Sequence, residues 1–289
     1  MPWYSQYEFT APDIRPEYRI RAVNPDRRET PQRRREMAGG RVPASGQVTS
    51  TRNPVAQHDP NPFLYVNKVG TDGWLQTRKG ESTARIPLVK YTKLQRIESK
   101  NGRTYFKIMD GPSRGQIVNL TDTNVGTYIG TKPPAQTPAN IVVTYGKYVP
   151  GWISEARGGQ KLDQQMATLE VDGLSVQVTM NTNWGTPEHY TPIPPGTYTV
   201  LIPDAPHNAD MTQFYRKYSK NLEFDQVWFP IQHGDNSRYV HVGNVSDGCT
   251  TVLDLDHWRD VEEALISHRS PDGTSVAQLH VKGKPERAE

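Results

Sequence analysis

The chain has 289 residues, 34% of them hydrophobic, a mean hydropathy of −0.74 and a formal charge of +3. That length holds two small domains or one large one, and the low apolar content implies that part of it stays solvated. Near-balanced charge argues against nucleic acid as a partner, one cysteine excludes a disulfide framework, and no run approaches the ~18 apolar residues of a membrane span.

The first residues, MPWYSQYEFTAPDIRPEYRI, carry no basic segment followed by an apolar one. The sequence therefore reads as a protein made in the cytoplasm without a secretory signal. Residues 1–60 are rich in Arg, Pro and Glu, with the run RRETPQRRREMAGGRVPASG. Such a segment buries too little apolar surface to offset its ordering entropy, so it is expected to be a disordered or extended arm.

From Phe63 the pattern changes to short strands, and residues 61–130 read as a small β-barrel. Asn101-Gly102 separates two β-prone runs, the strongest short hairpin signal. The stretch WLQTRKGEST and its hairpin resemble the bacterial Src-homology-type barrels attached to cell-wall enzymes. Residues 131–140, TKPPAQTPAN, read as a linker with three prolines.

Residues 141–270 read as a second β-rich domain. Asp172-Gly173 joins two alternating strands, with Leu169 and Val171 on the same side as Leu174, Val176 and Val178. IPPGTYTVLIP, DQVWFPIQHG and RYVHVGN follow as further strands. One helix is predicted over 255–268, capped by Asp254, with Leu253 and Trp258 as a staple and Trp258, Val261, Leu265 and Ile266 as its apolar stripe. Residues 271–289 read as a polar tail. The fold class is thus mainly β: a small barrel, then a β-rich domain with one helix after the cysteine.

Seven of the eight histidines lie between 189 and 280, in the same region as Cys249. A lone cysteine is most often a small packing hydrophobe. Cys249 instead follows the turn formers Ser246, Asp247 and Gly248 and precedes Thr250 and Thr251. Such a turn exposes the sulfur and can aim backbone N–H groups, here those of Gly248 and Cys249, at a carbonyl oxygen. A nucleophilic thiol also needs a base. If VWFPIQH and RYVHV pair as a hairpin, His233 and His241 lie roughly 10 Å apart at ~3.3 Å per residue, so only one reaches the thiol. The short return loop favours His241, leaving His233 as a hairpin-end or distant substrate contact. A backbone carbonyl, Asn244 or Ser246 is expected to orient His241, with Gly243 shaping the loop.

The strand Tyr-Val-His, the glycine turn and Ser246-Asp247-Gly248-Cys249 resemble the signature of L,D-transpeptidases, the YkuD-type catalytic domain, over residues 140–268. IPPGTYTV (193–200) is similar to that family's Thr-Pro-x-Gly-x-Tyr pattern, with Ile193 in place of Thr. The short His-to-Cys spacing is most similar to compact effector-type members. Two positions depart: Asp247 stands where the family has its motif histidine, and Thr251 where it has Arg or Asn. Arg238 or Arg259 is the candidate replacement for binding a substrate carboxylate, with Thr250 flanking the nucleophile.

The resemblance implies a cysteine-dependent L,D-transpeptidase or L,D-carboxypeptidase acting on peptidoglycan stem peptides, with no cofactor and no metal. It also implies delivery by a dedicated secretion system to a target cell's periplasm, with an immunity protein or a secretion component as partner. A papain- or NlpC-like peptidase is the rival enzyme and would use His257, His268 or His280. A metal site from His233, Asp235 and His241 is a weak pattern. The non-enzymatic rival is a cell-wall-binding or virion structural protein.

Overall fold

The computed structural model describes residues 63–183 and 191–286. The predicted arm at 1–60 lies wholly outside the described residues, and the described residues belong to one compact unit.

The first part of that unit contains strands β1 (Phe63–Val66), β2 (Trp74–Lys79), β3 (Arg85–Val89), β4 (Lys93–Lys100), β5 (Arg103–Ile108), β6 (Ile117–Thr121) and β7 (Ile129–Gly130). A short helix, α1 (Asp122–Tyr128), bridges β6 and β7. The strands form one seven-stranded sheet in the order β3-β2-β6-β5-β4-β1-β7 around Phe106, Leu94 and Ile108. Where a small barrel was expected, β3 and β7 stand at opposite ends of this order. The Asn101-Gly102 hairpin forms as expected, with φ of 52° and 71°, the left-handed pair that a two-residue turn requires.

The second part contains β8 (Ala139–Ser154), β9 (Gln160–Val171), β10 (Leu174–Asn183), β11 (Gly196–Leu201), β12 (Phe229–Ile231), β13 (Arg238–Val242), β14 (Thr250–Val252) and β15 (Ser275–Lys282). These eight close into a barrel in the order β10-β14-β13-β12-β11-β15-β8-β9. Two neighbouring pairs are parallel, β13 with β14 and β15 with β8; the rest are antiparallel. Asp172-Gly173 makes the β9–β10 turn with φ of 48° and 81°, pairing Leu169 with Val176 and Val171 with Leu174.

The predicted tail is corrected here. Residues 275–282 are the barrel strand β15, with Val276, Ala277, Leu279 and Val281 buried. These apolar residues cover the barrel interior, which outweighs the polar residues that follow. The Pro-rich stretch is also pinned, because Ala135 exchanges backbone hydrogen bonds with Ser267 and Arg269, and β8 already begins at Ala139.

The predicted helix divides into a 3-10 turn at Leu255–His257 and α2 (Trp258–Ile266). Asp254 makes no side-chain cap bond and instead pairs with His257 at 2.8 Å. The expected stripe does pack inward, with Trp258, Val261, Leu265 and Ile266 all buried. Sheet and barrel share contacts: the Trp74 indole donates to the Gln226 carbonyl, Arg269 donates to the Lys90 carbonyl, and Lys90 pairs with Glu263 at 2.6 Å.

Candidate active site

Cys249 is reached through an unusually tight connection. β13 and β14 run parallel, pairing Val240 with Thr250, His241 with Thr251 and Val242 with Val252. Parallel neighbours usually need about a dozen residues between them, yet only 243–249 join these two. The loop must double back, and two glycines allow it: Gly243 (φ 154°) and Gly248 (φ 88°). A Cβ on Gly248 would fall 2.6 Å from Arg238 Nε and 2.7 Å from the Thr191 carbonyl oxygen.

A buried polar network holds the loop. The Asn244 amide donates to the Tyr215 hydroxyl (2.9 Å), and Asn244 Oδ1 accepts from Ser154 (2.9 Å). The Asn244 carbonyl accepts from Gln164 Nε2 (2.8 Å). Ser246 is tied to Thr182 twice: its amide donates to the Thr182 hydroxyl (2.9 Å), and its carbonyl accepts the Thr182 amide (2.8 Å). The Ser246 hydroxyl donates to the Cys249 carbonyl at 2.7 Å, closing the turn that leads into Cys249. Asn244 and Ser246 thus shape the loop rather than orient His241.

Strand alternation divides the residues between two faces. Val240, Val242, Thr250 and Val252 point into the barrel, all fully buried. Thr250, expected to flank Cys249 at or behind the substrate, turns its side chain to the core face. Tyr239, His241, Cys249 and Thr251 share the opposite face, and the turn expected to expose the sulfur buries it instead, leaving His241 and Cys249 only 5% and 7% exposed. Cys249 immediately precedes β14, two residues before Thr251, and the Tyr239 backbone N–H reaches its thiol.

His241 is held on three sides. Its Nδ1 lies 2.9 Å from the Val242 carbonyl, the backbone acceptor the sequence suggested, and its Nε2 lies 3.0 Å from Thr251 Oγ1. Its ring stacks on the Trp228 indole with centroids 3.9 Å apart and planes 15° from parallel. Trp228 stacks in turn on His207 (4.0 Å, 12°), so the indole lies between two imidazoles, with Tyr239 edge-on to His207 and Trp228.

Burial sets the charge of these groups. It pushes His241 down to about 3, against the pull of the Val242 hydrogen bond, and His207 down to about 4. It pushes the Cys249 thiol up to about 12, opposed by the Tyr239 backbone N–H and the Arg238 guanidinium. The thiol and the imidazole are therefore both neutral, and His241 spends its two ring nitrogens on Val242 and Thr251. Catalytic hydrogen bonds often tighten only when substrate binds.

Arg238 belongs to this site; its guanidinium packs on Gly248 and acts on the Cys249 thiol, and Nη1 reaches Ser237 Oγ at 3.3 Å. Arg259, on α2, is paired instead with Glu223 at 3.0 Å. Asp247 also acts on the thiol, raising its pKa. His233 sits at the end of the β12–β13 hairpin, edge-on to Tyr198 with centroids 5.4 Å apart. The histidines a papain-like arrangement would need are held elsewhere: His257 by Asp254, His268 by the Thr137 carbonyl and Asp172, His280 by Thr197. Cys249 also enters a strand rather than a helix. His233, Asp235 and His241 do not converge, and no group of three potential ligands forms a metal site among the described residues. No helix among them is long and apolar enough to cross a membrane.

Reading the sequence alone missed Trp228, His207, Gln164, Thr182 and Tyr215. Gln164-Gln165 did carry a signal, since two adjacent glutamines break strand alternation and both prove buried. Comparison of the chain with protein-family models, curated proteins and solved structures found no match in any of the three.

Proposed function

We propose that the protein is a cysteine-dependent acyltransferase of the L,D-transpeptidase or L,D-carboxypeptidase kind, acting on peptidoglycan stem peptides. The observation that carries this reading is Cys249 at the end of a glycine-hinged loop, with the Arg238 guanidinium acting on its thiol and His241 two residues along the adjoining parallel strands. Arg238 supplies a fixed cation beside the thiol, suited to the terminal carboxylate of a short peptide. It takes the place of the basic residue missing at Thr251.

In this mechanism the Thr251 hydroxyl leaves His241 Nε2 on substrate binding, and the freed nitrogen takes the thiol proton as sulfur attacks the carbonyl of the third stem residue. The Gly248 and Cys249 amides hold the oxyanion. Collapse of the tetrahedral intermediate breaks the peptide bond, and His241 returns the proton to the departing amine of the terminal D-amino acid. The thioester on Cys249 then passes to an amine, giving a crosslink or an exchange, or to water. The neutral pair opposes this transfer at rest, so substrate binding must bring the charge stabilisation that the oxyanion donors and Arg238 supply.

The buried thiol, pushed up to about 12, equally suits a protein that binds cell wall without turning it over. Mass spectrometry of tetrapeptide and pentapeptide muropeptides separates the two readings. An active protein removes or exchanges the terminal D-amino acid or forms a dimer, and Cys249→Ala and His241→Ala abolish this while His233→Ala does not. Unchanged muropeptides, with wild-type protein still pelleting on sacculi, support the binding role instead.

A further inference from the structure

Charge is divided unevenly along the chain. Residues 63–132, which form the seven-stranded sheet, carry twelve Lys and Arg against five Asp and Glu, whereas 133–289 carry twelve against nineteen. The near-neutral total conceals a cationic sheet and an acidic barrel.

Strand register gathers these cations on the face turned away from the sheet's apolar core. Leu75, Ile86, Phe106 and Val118 point into that core, so the residues alternating with them point out. Arg78 stands directly opposite Arg85 across β2 and β3, and Lys100 opposite Arg103 across β4 and β5. Asn119 on β6 pairs with both Arg78 and Tyr105, which puts the two cation pairs on one face. Like charges facing each other across strands are destabilising. Lys100 is relieved by Glu81 at 2.8 Å and Glu98 at 3.2 Å, and Arg103 donates to the Asn119 side chain. Arg78, Arg85 and Lys107 are exposed and form no ion pair or side-chain hydrogen bond among the described residues. Two arginines set opposite each other with no carboxylate between them are relieved by an anion from outside the chain.

Two isoleucines accompany the cations. Ile117 is paired with Lys107 and is 44% exposed, and Ile97, the extra residue of the β4 bulge, is 50% exposed. They are two of the four exposed large hydrophobics among the described residues. A soluble polyanion offers such side chains nothing. A lipid surface offers phosphates to the cations and the acyl boundary to the isoleucines. The N-terminal arm, richer in Arg than in Asp and Glu, has the wrong charge to neutralise this face.

We propose that the outer face of the sheet is a docking surface for an anionic membrane, held by Arg78, Arg85 and Lys107 and seated by Ile117 and Ile97. Attachment has one sense, because the acidic barrel is repelled by the same surface. No step at Cys249 is involved, so docking holds whatever reaction the barrel performs.

The test is co-sedimentation of the full chain with vesicles of equal parts phosphatidylglycerol and phosphatidylcholine, and with phosphatidylcholine alone. Binding should require the anionic lipid and weaken steeply as salt is raised to ~0.5 M. Arg78→Gln/Arg85→Gln should bind ~20-fold more weakly, at about fivefold for each cation removed. Lys217→Gln/Lys220→Gln removes the same charge from exposed positions outside the sheet and should bind like the wild type. Ile117→Ser should weaken binding by about threefold and leave the salt dependence unchanged. Melting curves confirm that each variant is folded. If the arginine variant does not fold, Lys107→Gln on the same face carries the test, with a loss of about fivefold.

No binding to the anionic vesicles overturns the proposal. So does equal weakening in the two double variants, which assigns attachment to net charge, or undiminished binding of the arginine variant, which assigns it elsewhere. Binding of inorganic polyphosphate without binding of vesicles, or wild-type affinity in Ile117→Ser, also overturns it and makes the partner a soluble polyanion.

Discussion

Gln164 should be one of the most sensitive polar positions in the barrel. Its side chain is fully buried on β9, and Oε1 accepts from the Thr179 and Thr182 hydroxyls at 2.6 and 2.7 Å. Nε2 donates to the Asn244 carbonyl at 2.8 Å. Gln164→Leu leaves the Thr182 hydroxyl proton and the Asn244 carbonyl without these partners, whereas Thr179 can turn to the Asn181 carbonyl at 3.1 Å. Two orphaned groups at ~1–3 kcal/mol each give a loss of about 2–6 kcal/mol, a large share of a typical domain's stability. Urea denaturation measures it.

Gln164→Glu sharpens the test, because its second oxygen faces the Asn244 carbonyl and fits only when protonated. The carboxyl's folded pKa is then raised above its unfolded value. The stabilising contact is present in full below the ordinary carboxylate range, ~4.3, and is lost as pH rises through the raised value. Gln164→Glu should approach wild-type stability near pH 4 and fall behind toward pH 8. A Gln164→Leu loss below about 1 kcal/mol, or a Glu variant that gains on the wild type as pH rises, refutes the reasoning.

Glu262, 2% exposed on α2, is pushed up to about 8 by burial first and by neighbouring Glu263 second. Its folded value exceeds its unfolded one, so its contribution is intact below about 4.5 and is lost as pH climbs toward 8. Glu262→Gln should therefore gain on the wild type by about 3 kcal/mol between pH 4 and pH 7 in chemical denaturation. An equal offset at both pH values contradicts this. Gly248→Ala places a Cβ 2.7 Å from the Thr191 carbonyl oxygen at a φ of 88°. It should lower stability by roughly 1–3 kcal/mol and speed Cys249 alkylation as the loop is displaced, measured by melting and by iodoacetamide labelling. A variant with wild-type melting and labelling shows that the loop accommodates the methyl group.

The elements legible in the sequence were those written in local chemistry. Asn101-Gly102 and Asp172-Gly173 announced their hairpins because few other residue pairs adopt two successive left-handed conformations at low cost. The apolar stripe of α2 announced its buried face. β15 was missed because SVAQLHVK is short and ends in polar residues, and only the open edge between β11 and β8 makes a strand of it. The shared face of His241 and Cys249 depends on the parallel β13–β14 register, which a seven-residue connection does not advertise. The Trp228 stack and the Gln164 network join residues far apart in the chain, so no spacing could reveal them. Thr251 was noticed only as a missing arginine, although its register opposite His241 gives it a partner.

The central claim is that Cys249 carries an acyl group during turnover. Rapid acid quenching of the protein with tetrapeptide muropeptide, followed by intact-protein mass spectrometry, reads this directly. The account predicts a transient adduct equal to the donor minus its terminal D-amino acid, located on Cys249 by peptide mapping and absent from Cys249→Ala. A donor consumed with no adduct in the wild type, or with an adduct that persists in Cys249→Ala, would contradict it.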